Sequence, residues 1–451
     1  MKSYKERLNH VIPGGAHTYS RGHDQFPINA PQILVRGLGA RLWDPEGKEY
    51  LDYGMALRAV TLGYANPRVN QAAIQQIENG NNLTRASVVE LEAAELITQI
   101  IPGAQMVKFA KNGSNATTAA AKIARAYTGK QYICVPRQHP FFSFDDWFIG
   151  TTPLQRGIPQ EHVSSTLVFD YNDIQSLQSL FDAHPGQIAA VMLEPATSVT
   201  PCASDCSELA ADSTCLTCSH KEKNFLHQVQ ALCRKEDALF ILDEMITGFR
   251  WALEGAASYF GVQPDLMTFG KGMANGFSVA AVVGRKDVME VGAIDKFGAE
   301  RVFLLSTTHG GEMSGLGAFI ETVKIYQEED VCRHLWDFGS QLKNQMRDLT
   351  MELGVQDFFE IVGPAVSLNY VTRDPQGNVS LEYRTLFSQE MIRNGVLMPW
   401  IAQSWSHKSG ELDQTLSAAR SALRIYGRAI EEGVGNYLDS PSIKPVFRKF
   451  N

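Results

Sequence analysis

An aspartate and a lysine, Asp243 and Lys271, are the residues of this sequence whose types and spacing most clearly indicate chemistry. Each lies at the end of a short apolar run, ALFILDEM at 238–245 and PDLMTFGKG at 264–272. Short apolar runs that end in turn residues are typical of buried strands. A carboxylate and an amine at the ends of two buried strands are costly to keep there without a partner. The two runs therefore predict a reactive site at one edge of a sheet.

Pyridoxal 5′-phosphate (PLP) is a cofactor whose chemistry needs such a pair. A lysine amine forms a Schiff base with its aldehyde, and a carboxylate keeps its pyridine nitrogen protonated so that the ring accepts electrons. The segment KNGSN at 111–115 follows another strand-like run and begins an alanine-rich helix. The first turn of a helix offers N–H groups to a phosphate, whereas the structural alternative is a serine that caps the helix. Beside the Asp/Lys pair, the phosphate-binding interpretation is favoured.

The elements around these residues predict an α/β fold. Strand-like and helix-like runs alternate, with strands at 106–113, 131–136, 165–173, 188–195, 238–245 and 277–285, and helices at 115–127 and 225–236. Such alternation predicts a mostly parallel sheet covered on both faces. We therefore expect a large α/β domain over 65–325, which contains a cysteine-rich insert at 201–224. A helix-like run at 317–353 leads into a smaller α+β domain formed by 1–64 and 326–451.

Composition excludes several classes of protein. A net charge of −8 over 451 residues argues against a large nucleic-acid-binding surface. No apolar stretch reaches the roughly 18 residues that a membrane span needs. The N-terminal segment MKSYKERLNHVIPGG lacks the apolar core of a secretory signal. We expect a cytoplasmic protein with reduced cysteines and with no nucleic-acid or membrane partner.

Four of the seven cysteines lie close together in the insert. They are Cys202, Cys206, Cys215 and Cys218, spaced C-x3-C-x8-C-x2-C. Four thiols at this density are typical of a small tetrahedral zinc site. Two alternatives are an exposed insert with unmodified thiols and a pair of disulfides, which a reducing compartment disfavours. We predict zinc or another thiophilic metal at these four residues.

Several segments in combination resemble a known family. LFILDEMITGFR, TFGKGMANG, NGSNATTAAAKIARAYTG and STTHGGE resemble the class III (subgroup II) PLP-dependent aminotransferases, in the branch of glutamate-1-semialdehyde aminomutase. PGGAHTYSRG, RLWDPEGKEYLDY and SWSHKSGELDQTLSAAR match the same branch, so the resemblance covers nearly the whole chain. It implies a PLP-dependent transferase of fold type I. The implied reaction moves an amino group from a donor such as glutamate to a ketone or aldehyde, with a sugar as one candidate acceptor. The alternative is an aminomutase, which moves the amino group within one glutamate-1-semialdehyde-like substrate.

The resemblance also implies the roles of individual residues. Lys271 carries the cofactor as a Schiff base and later moves the proton at the substrate carbon, while Asp243 pairs with the pyridinium nitrogen. Gly113 and Ser114 bind the phosphate from the helix N-terminus. Thr308, in STTHGGE, corresponds to a threonine that reaches the phosphate of a partner subunit. The resemblance therefore implies a homodimer with shared active sites.

The resemblance implies that other positions contact the cofactor ring and bind the substrate. Met245 stands where the family packs a branched aliphatic residue behind the ring. The family's Tyr-His-Gly is replaced here by FFS at 141–143, so the ring-stacking role passes to Phe141. Arg21 corresponds to an arginine that binds the substrate carboxylate, a task that suits its forked guanidinium. Arg58 lies in the apolar GMALRAVTLG; it is either a surface arginine or a second group that recognises an anionic substrate.

Overall fold

The computed structural model describes residues 2–139, 141–196, 199–203, 206, 215 and 223–450. The chain divides into two compact units, of which the larger is Pro67–Arg333. The smaller combines Met1–Asn66 with His334–Asn451. The second boundary falls within a helix, Val331–Glu352, rather than at residue 325.

The secondary structure of the described residues alternates as the sequence indicates. The strands are β1 (Arg36–Leu38), β2 (Arg41–Trp43), β3 (Glu49–Asp52), β4 (Met106–Ala110), β5 (Tyr132–Pro136), β6 (Thr166–Phe169), β7 (Ile188–Leu193), β8 (Leu239–Asp243), β9 (Leu266–Phe269), β10 (Ala280–Gly284), β11 (Phe359–Val362), β12 (Asn369–Thr372) and β13 (Val396–Leu397). The helices are α1 (Tyr4–Val11), α2 (Met55–Arg58), α3 (Pro67–Glu78), α4 (Val88–Ile100), α5 (Gly113–Thr128), α6 (Asp146–Ile149), α7 (Gln160–Ser164), α8 (Ile174–Ala183), α9 (Phe225–Lys235), α10 (Ala256–Tyr259), α11 (Lys286–Met289), α12 (Met313–Glu329), α13 (Val331–Glu352), α14 (Leu381–Arg393) and α15 (Ser409–Glu432).

The larger unit is built on a mixed sheet. Within the described part of the chain this sheet has seven strands in the order β4-β10-β9-β8-β7-β5-β6. The five strands from β9 to β6 run parallel, and β10 runs antiparallel to both of its neighbours. Every residue of β7, β8, β9 and β10 is buried, as expected for strands covered on both faces. The prediction of a large, mostly parallel sheet is confirmed.

The smaller unit is α+β. Its described strands form a sheet in the order β1-β2-β3-β13 and a separate antiparallel pair, β11 and β12. Helices α13, α14 and α15 contribute most of its core, in which aromatic rings pack closely; the Phe359 and Phe387 ring centroids are 4.5 Å apart. The helix-like run at 317–353 is divided at Asp330, whose φ of 47° ends α12 in the left-handed region. Among the described residues, no helix is both long enough and apolar enough to cross a membrane.

The cysteine-rich insert connects β7 to α9. An antiparallel bridge between Ala203 and Asn224 joins its two ends. Asn224 also caps α9, since its side-chain oxygen accepts a hydrogen bond from the backbone N–H of Leu226. The two ends of the insert therefore lie side by side.

Candidate active site

Asp243 and Lys271 lie at one edge of the large sheet. Asp243 is the last residue of β8, and Lys271 follows the end of β9 by one glycine. The two strands are parallel neighbours, with Asp243 opposite Thr268. Because the carboxyl ends of parallel strands meet at the same edge, the sheet brings these two residues together.

Asp243 is a buried carboxylate that accepts two hydrogen bonds through one of its oxygens. Its side chain is 1% exposed, and its Oδ1 accepts hydrogen bonds from the Met245 N–H at 3.0 Å and from the Thr268 hydroxyl at 2.9 Å. Oδ2 takes part in neither bond. Burial raises the pKa of Asp243 to about 6, although the positive charge of Lys271 and the two hydrogen bonds lower it. A carboxylate of this kind gains from a cationic N–H at Oδ2, and a pyridinium supplies one. The site therefore fits PLP.

The backbone at Lys271 is left-handed. Its φ is 41°, a conformation that costs a non-glycine residue roughly 1–2 kcal/mol. Strain of this kind persists where the surroundings fix the chain, and it is concentrated at functional sites. Here the Tyr326 hydroxyl donates to the carbonyl oxygen of Gly272 at 2.9 Å and holds the residues that follow. The amine thus projects from a fixed turn at the edge of the sheet.

The predicted phosphate loop begins α5. Asn112 caps this helix, because its side chain accepts a hydrogen bond from the Asn115 N–H at 3.0 Å. The alternative of a capping serine is therefore wrong, and Gly113 and Ser114 are the first two helical residues. The Ser114 Oγ accepts a hydrogen bond from the Phe144 N–H at 3.0 Å, and its own proton can still be donated. Two N–H groups and a hydroxyl at a helix N-terminus suit a phosphate.

Met245 joins the phosphate loop to the lysine turn. Its sulfur lies 3.0 Å from the place where a Cβ on Gly113 would lie, and 2.6 Å from the corresponding place on Gly270. A Cβ on Gly270 would displace the Met245 side chain, and one on Gly113 would crowd it, so the two glycines allow its close approach. The residue packs between the two segments that would hold the cofactor, and its predicted role behind the ring stays a prediction.

The two adjacent phenylalanines have different environments. Phe142 is fully buried, and its carbonyl oxygen accepts a hydrogen bond from the Thr117 hydroxyl on α5 at 2.8 Å. Phe141 is 43% exposed and touches Phe148 edge-on, with 6.1 Å between ring centroids. An exposed ring beside a buried one is what a stacking surface requires. The assignment of that role to Phe141 stays a prediction.

Sequence reasoning missed His139. Its ring is buried between Tyr171 and Phe142, at centroid distances of 4.9 and 5.7 Å. Its Nδ1 accepts a hydrogen bond from the Glu194 N–H at 3.0 Å, just beyond β7. Burial lowers the pKa of His139 to about 3, so the imidazole is neutral at physiological pH. It is a neutral link between the end of β7 and the phenylalanine pair, which spacing in the sequence does not reveal.

The raised pKa of Asp243 makes a prediction about the cofactor-free protein. A folded-state pKa of about 6, above the ordinary 3.8, means that the folded state loses stability as pH rises through this interval. Fully expressed, the loss is about 3 kcal/mol. We expect the free energy of unfolding of Asp243→Asn, relative to that of the unaltered protein, to increase by about this amount as pH rises from ~4 to ~7.5. Urea unfolding of both cofactor-free proteins at several pH values measures this difference. Unfolding free energies that change in the same way with pH in both proteins would contradict the prediction.

Arg21 and Arg58 belong to the smaller unit. Arg21 is exposed at the end of a 3-10 helix, Tyr19–Arg21. Burial raises the pKa of Tyr64, and the charge of Arg21 opposes this rise. Arg58 ends α2, in which the Ala56 N–H donates to the Tyr64 hydroxyl at 3.0 Å. Both arginines therefore lie near Tyr64. Their roles in substrate binding stay predictions.

The segment α2 is a left-handed turn built from ordinary residues. Met55, Ala56, Leu57 and Arg58 have φ values of 40°, 49°, 63° and 66°. Asp52 holds the beginning of this turn, since its carboxylate accepts from the N–H groups of Gly54 and Met55, each at 2.8 Å. The Tyr64 hydroxyl donates to the same carboxylate, and the Trp400 indole donates to the carbonyl oxygen of Gly54. These contacts offset a conformation that side chains disfavour.

A glycine substitution tests this strain. Ala56→Gly removes the Cβ that disfavours φ of 49°, so we expect it to raise the free energy of unfolding by about 0.5–1 kcal/mol. Ala94→Gly, in the middle of the right-handed helix α4, is the matched control and should lower it by about 1 kcal/mol. Differential scanning calorimetry compares the two. Equal destabilisation by both substitutions would contradict a strained turn.

The described residues include three of the four predicted metal ligands. The Sγ atoms of Cys202, Cys206 and Cys215 all lie within 4.8 Å of one another. Cys202 and Cys215 are buried, and Cys206 is partly exposed. Among the described cysteines, no two are joined by a disulfide. Cys218 lies outside the described residues.

Thr308 lies on an exposed segment of the larger unit. Its carbonyl oxygen accepts a hydrogen bond from the Asn82 side chain at 3.1 Å, which ties this segment to the chain before α4. The side chain is therefore accessible to a second subunit, and its predicted role at a partner's phosphate stays a prediction.

Comparison with known proteins extends these observations to the whole chain. Residues 18–200 and 217–364 match the model of the family "Aminotransferase class-III". The glutamate-1-semialdehyde 2,1-aminomutase of Aquifex aeolicus is 27% identical over 94% of this chain and 99% of its own length. The 3-aminobutyryl-CoA aminotransferase of Cloacimonas acidaminovorans is 28% identical over 93% of this chain and 95% of its own.

Solved structures agree with the family match. The FumI protein of Sphingopyxis sp. MTA144, in its PLP internal aldimine form, is similar with a TM-score of 0.82 and 26% identity, over 95% of this chain and 97% of that one. The fold is that of the PLP-dependent transferases of fold type I. An Asp/Lys pair and a phosphate loop that fit PLP, in an enzyme fold matched along nearly its full length, identify the chain as a member of the class-III aminotransferases.

Proposed function

We propose that this enzyme moves an amino group from an amino acid donor, such as glutamate, to a ketone or aldehyde acceptor. The observation that carries the proposal is the buried Asp243, with its raised pKa, at the same sheet edge as Lys271. PLP, when bound, supplies an electron sink next to the reacting carbon. The chain's own residues have to hold that group and to move protons.

Binding of the cofactor is divided among the residues at this edge. Asp243 keeps a proton on the pyridine nitrogen, and the N-terminus of α5 at Gly113 and Ser114 binds the phosphate. Met245 packs on one face of the ring, and Phe141 stacks on the other. Lys271 holds the cofactor covalently through Nζ. With substrate bound, the Lys271 Nζ would serve as the base that takes the proton from the substrate carbon and as the acid that later gives it back.

Two arginines of the smaller unit are proposed to select the substrate. Arg21 binds the carboxylate of the donor through a bidentate contact. Arg58 recognises a second anionic group, which an acidic sugar or a nucleotide sugar would supply. A sugar carbonyl is therefore one candidate acceptor.

A second candidate is a 2,1-aminomutase that acts on a glutamate-1-semialdehyde-like substrate. It is favoured by the similarity to the aminomutase of Aquifex aeolicus. The same lysine, aspartate and phosphate loop serve both reactions. Spectral titration of the purified holoenzyme with single amino donors separates them. Bleaching of the cofactor absorbance by glutamate alone, with release of 2-oxoglutarate, supports the aminotransferase. No response to any donor, with turnover of the semialdehyde, supports the aminomutase.

We propose a homodimer with shared active sites. Large apolar side chains are exposed on the larger unit in the chain segment before Thr308, including Phe297, which is 99% exposed, together with Ile294 and Phe303. Val88 and Leu91 are likewise exposed on α4. Apolar surface of this kind is typical of an interface between subunits.

Subunit complementation tests whether Thr308 acts in the partner's site. Lys271→Ala and Thr308→Ala are each expected to be impaired alone. In a mixed dimer, one site would combine an intact lysine with an intact threonine from the partner. Co-expression should then restore about a quarter of the unaltered activity, because half of randomly paired dimers are mixed. If Thr308 serves its own subunit, no intact site forms and activity is not restored.

Zinc and the cellular location complete the proposal. We infer a zinc ion at Cys202, Cys206 and Cys215, because their sulfurs lie within 4.8 Å of one another and thiolates are ligands that zinc prefers. We propose a cytoplasmic location, a compartment that would keep the thiols of the cluster reduced.

A further inference from the structure

The cysteine cluster is held in place by the backbone around it. The N–H and the hydroxyl of Thr200 both donate to the carbonyl oxygen of Cys215, at 2.9 and 3.1 Å. The Cys206 N–H donates to the carbonyl oxygen of Ala203 at 3.2 Å. Zinc–sulfur bonds of 2.3 Å in a tetrahedron place sulfurs roughly 3.8 Å apart. The three Sγ atoms, all within 4.8 Å of one another, need only small adjustments to reach that spacing.

Asn172 connects the cluster to the larger unit. Its Oδ1 accepts from the Cys202 N–H at 2.9 Å, and its Nδ2 donates to the carbonyl oxygen of Thr200 at 3.0 Å. Its φ of 65° is left-handed, which asparagine tolerates better than most residues. One side chain therefore bridges two backbone positions next to a predicted metal ligand.

The residue before Asn172 in the chain, Tyr171, continues this connection toward the cofactor pocket. Its hydroxyl donates to the carbonyl oxygen of Pro195 at 2.7 Å, and its buried ring packs against His139. His139 contacts Phe142, whose carbonyl oxygen is held by Thr117 on the phosphate-binding helix α5. A continuous series of contacts, partly buried at Asn172 and buried beyond it, thus runs from Cys202 to Phe142.

We propose that the metal at Cys202, Cys206 and Cys215 positions the phenylalanine side of the cofactor pocket without touching the cofactor. This inference rests on the zinc and PLP of the proposed function. Metal binding displaces the thiol protons to solvent and fixes the chain around Cys202. Asn172 and Tyr171 then hold His139, and His139 holds Phe142. Loss of the metal releases the first contact in this series and weakens cofactor binding.

The first experiment measures the metal. Elemental analysis of the purified holoenzyme is expected to find about one equivalent of zinc per chain. Cobalt substitution should give the ligand-field absorption of tetrahedral thiolates, in the red beyond the cofactor bands. Cys206→Ser should lower the metal content, whereas Cys332→Ser, a partly buried cysteine outside the cluster, should leave it unchanged. Metal well below one equivalent, even after incubation with zinc, overturns the metal site.

The second experiment measures the coupling. Removal of zinc by a chelator is expected to raise the dissociation constant of PLP about fivefold or more and to change the visible circular dichroism of the bound cofactor. Zinc should restore both. Asn172→Gly keeps the left-handed backbone and all the thiols, so it should retain zinc and still weaken PLP binding. The Asn172→Gly variant also tests the coupling if removal of zinc unfolds the protein.

The outcomes distinguish the metal site, its positioning role and the proposed function from one another. A full equivalent of zinc, with unchanged PLP affinity both after chelation and in Asn172→Gly, overturns the positioning role and leaves the metal site. Failure of the zinc-loaded enzyme to bind PLP at all overturns the proposed function instead.

Discussion

Lys271→Ala is expected to lower kcat by about 10⁴-fold or more and to abolish covalent attachment of the cofactor. The residue has two tasks, since its Nζ both holds the cofactor and moves the proton at the substrate carbon. Its backbone lies in a left-handed turn, with φ of 41°, at the sheet edge where the cofactor would bind. Steady-state kinetics and mass spectrometry after borohydride reduction measure the two losses.

An exposed lysine of the same unit provides the control. Lys286 lies at the start of α11, and Lys286→Ala should retain both the covalent link and the activity. Detection of a borohydride-stable link on Lys271→Ala would assign the attachment to a different lysine and refute the role given to Lys271.

Asp243→Asn is expected to lower kcat by about 10³-fold, because a neutral amide no longer keeps the pyridine nitrogen protonated. The protein should still fold and bind the cofactor phosphate, since the loop at Gly113 and Ser114 is unchanged. Without cofactor, its free energy of unfolding should exceed that of the unaltered protein by an amount that grows as pH rises from ~4 to ~7.5, because the buried native carboxylate becomes charged over this range. Loss of activity together with a gain in stability distinguishes a functional residue from a structural one.

The neighbouring carboxylate, Glu244, is the matched control. It is fully buried and accepts hydrogen bonds from the N–H groups of Ala256 and Ala257, at 2.9 and 2.7 Å. Glu244→Gln should therefore lower stability by about 1–3 kcal/mol while the spectrum of the bound cofactor stays unchanged. If Asp243→Asn kept kcat within tenfold of the unaltered enzyme, the pyridinium pairing would be refuted.

The sheet edge could be predicted from sequence because its signals are local. The apolar runs before Asp243 and Lys271 are short and are ended by turn residues, so their assignment as buried strands follows directly. The order of the strands and the antiparallel β10 could not be predicted, because they depend on contacts between distant segments.

Other features escaped prediction because local preference opposes them or does not encode them. Four ordinary residues from Met55 to Arg58 adopt a left-handed turn that is stabilised by Asp52, Tyr64 and Trp400. Nothing in the letters MALR indicates it. The buried His139 likewise depends on Tyr171 and Glu194, which follow two other strands, β6 and β7. Cysteine spacing predicted a cluster but not its connection through Asn172.

The left-handed turn at Met55–Arg58 also has a consequence for laboratory evolution. A library at these four codons, selected only for resistance to heat, should accumulate glycine and asparagine, which tolerate positive φ. If Arg58 binds substrate as proposed, selection for turnover should retain the arginine despite its strain. Enrichment of different residues at these codons under the two selections would then measure how much stability this enzyme loses in order to recognise its substrate.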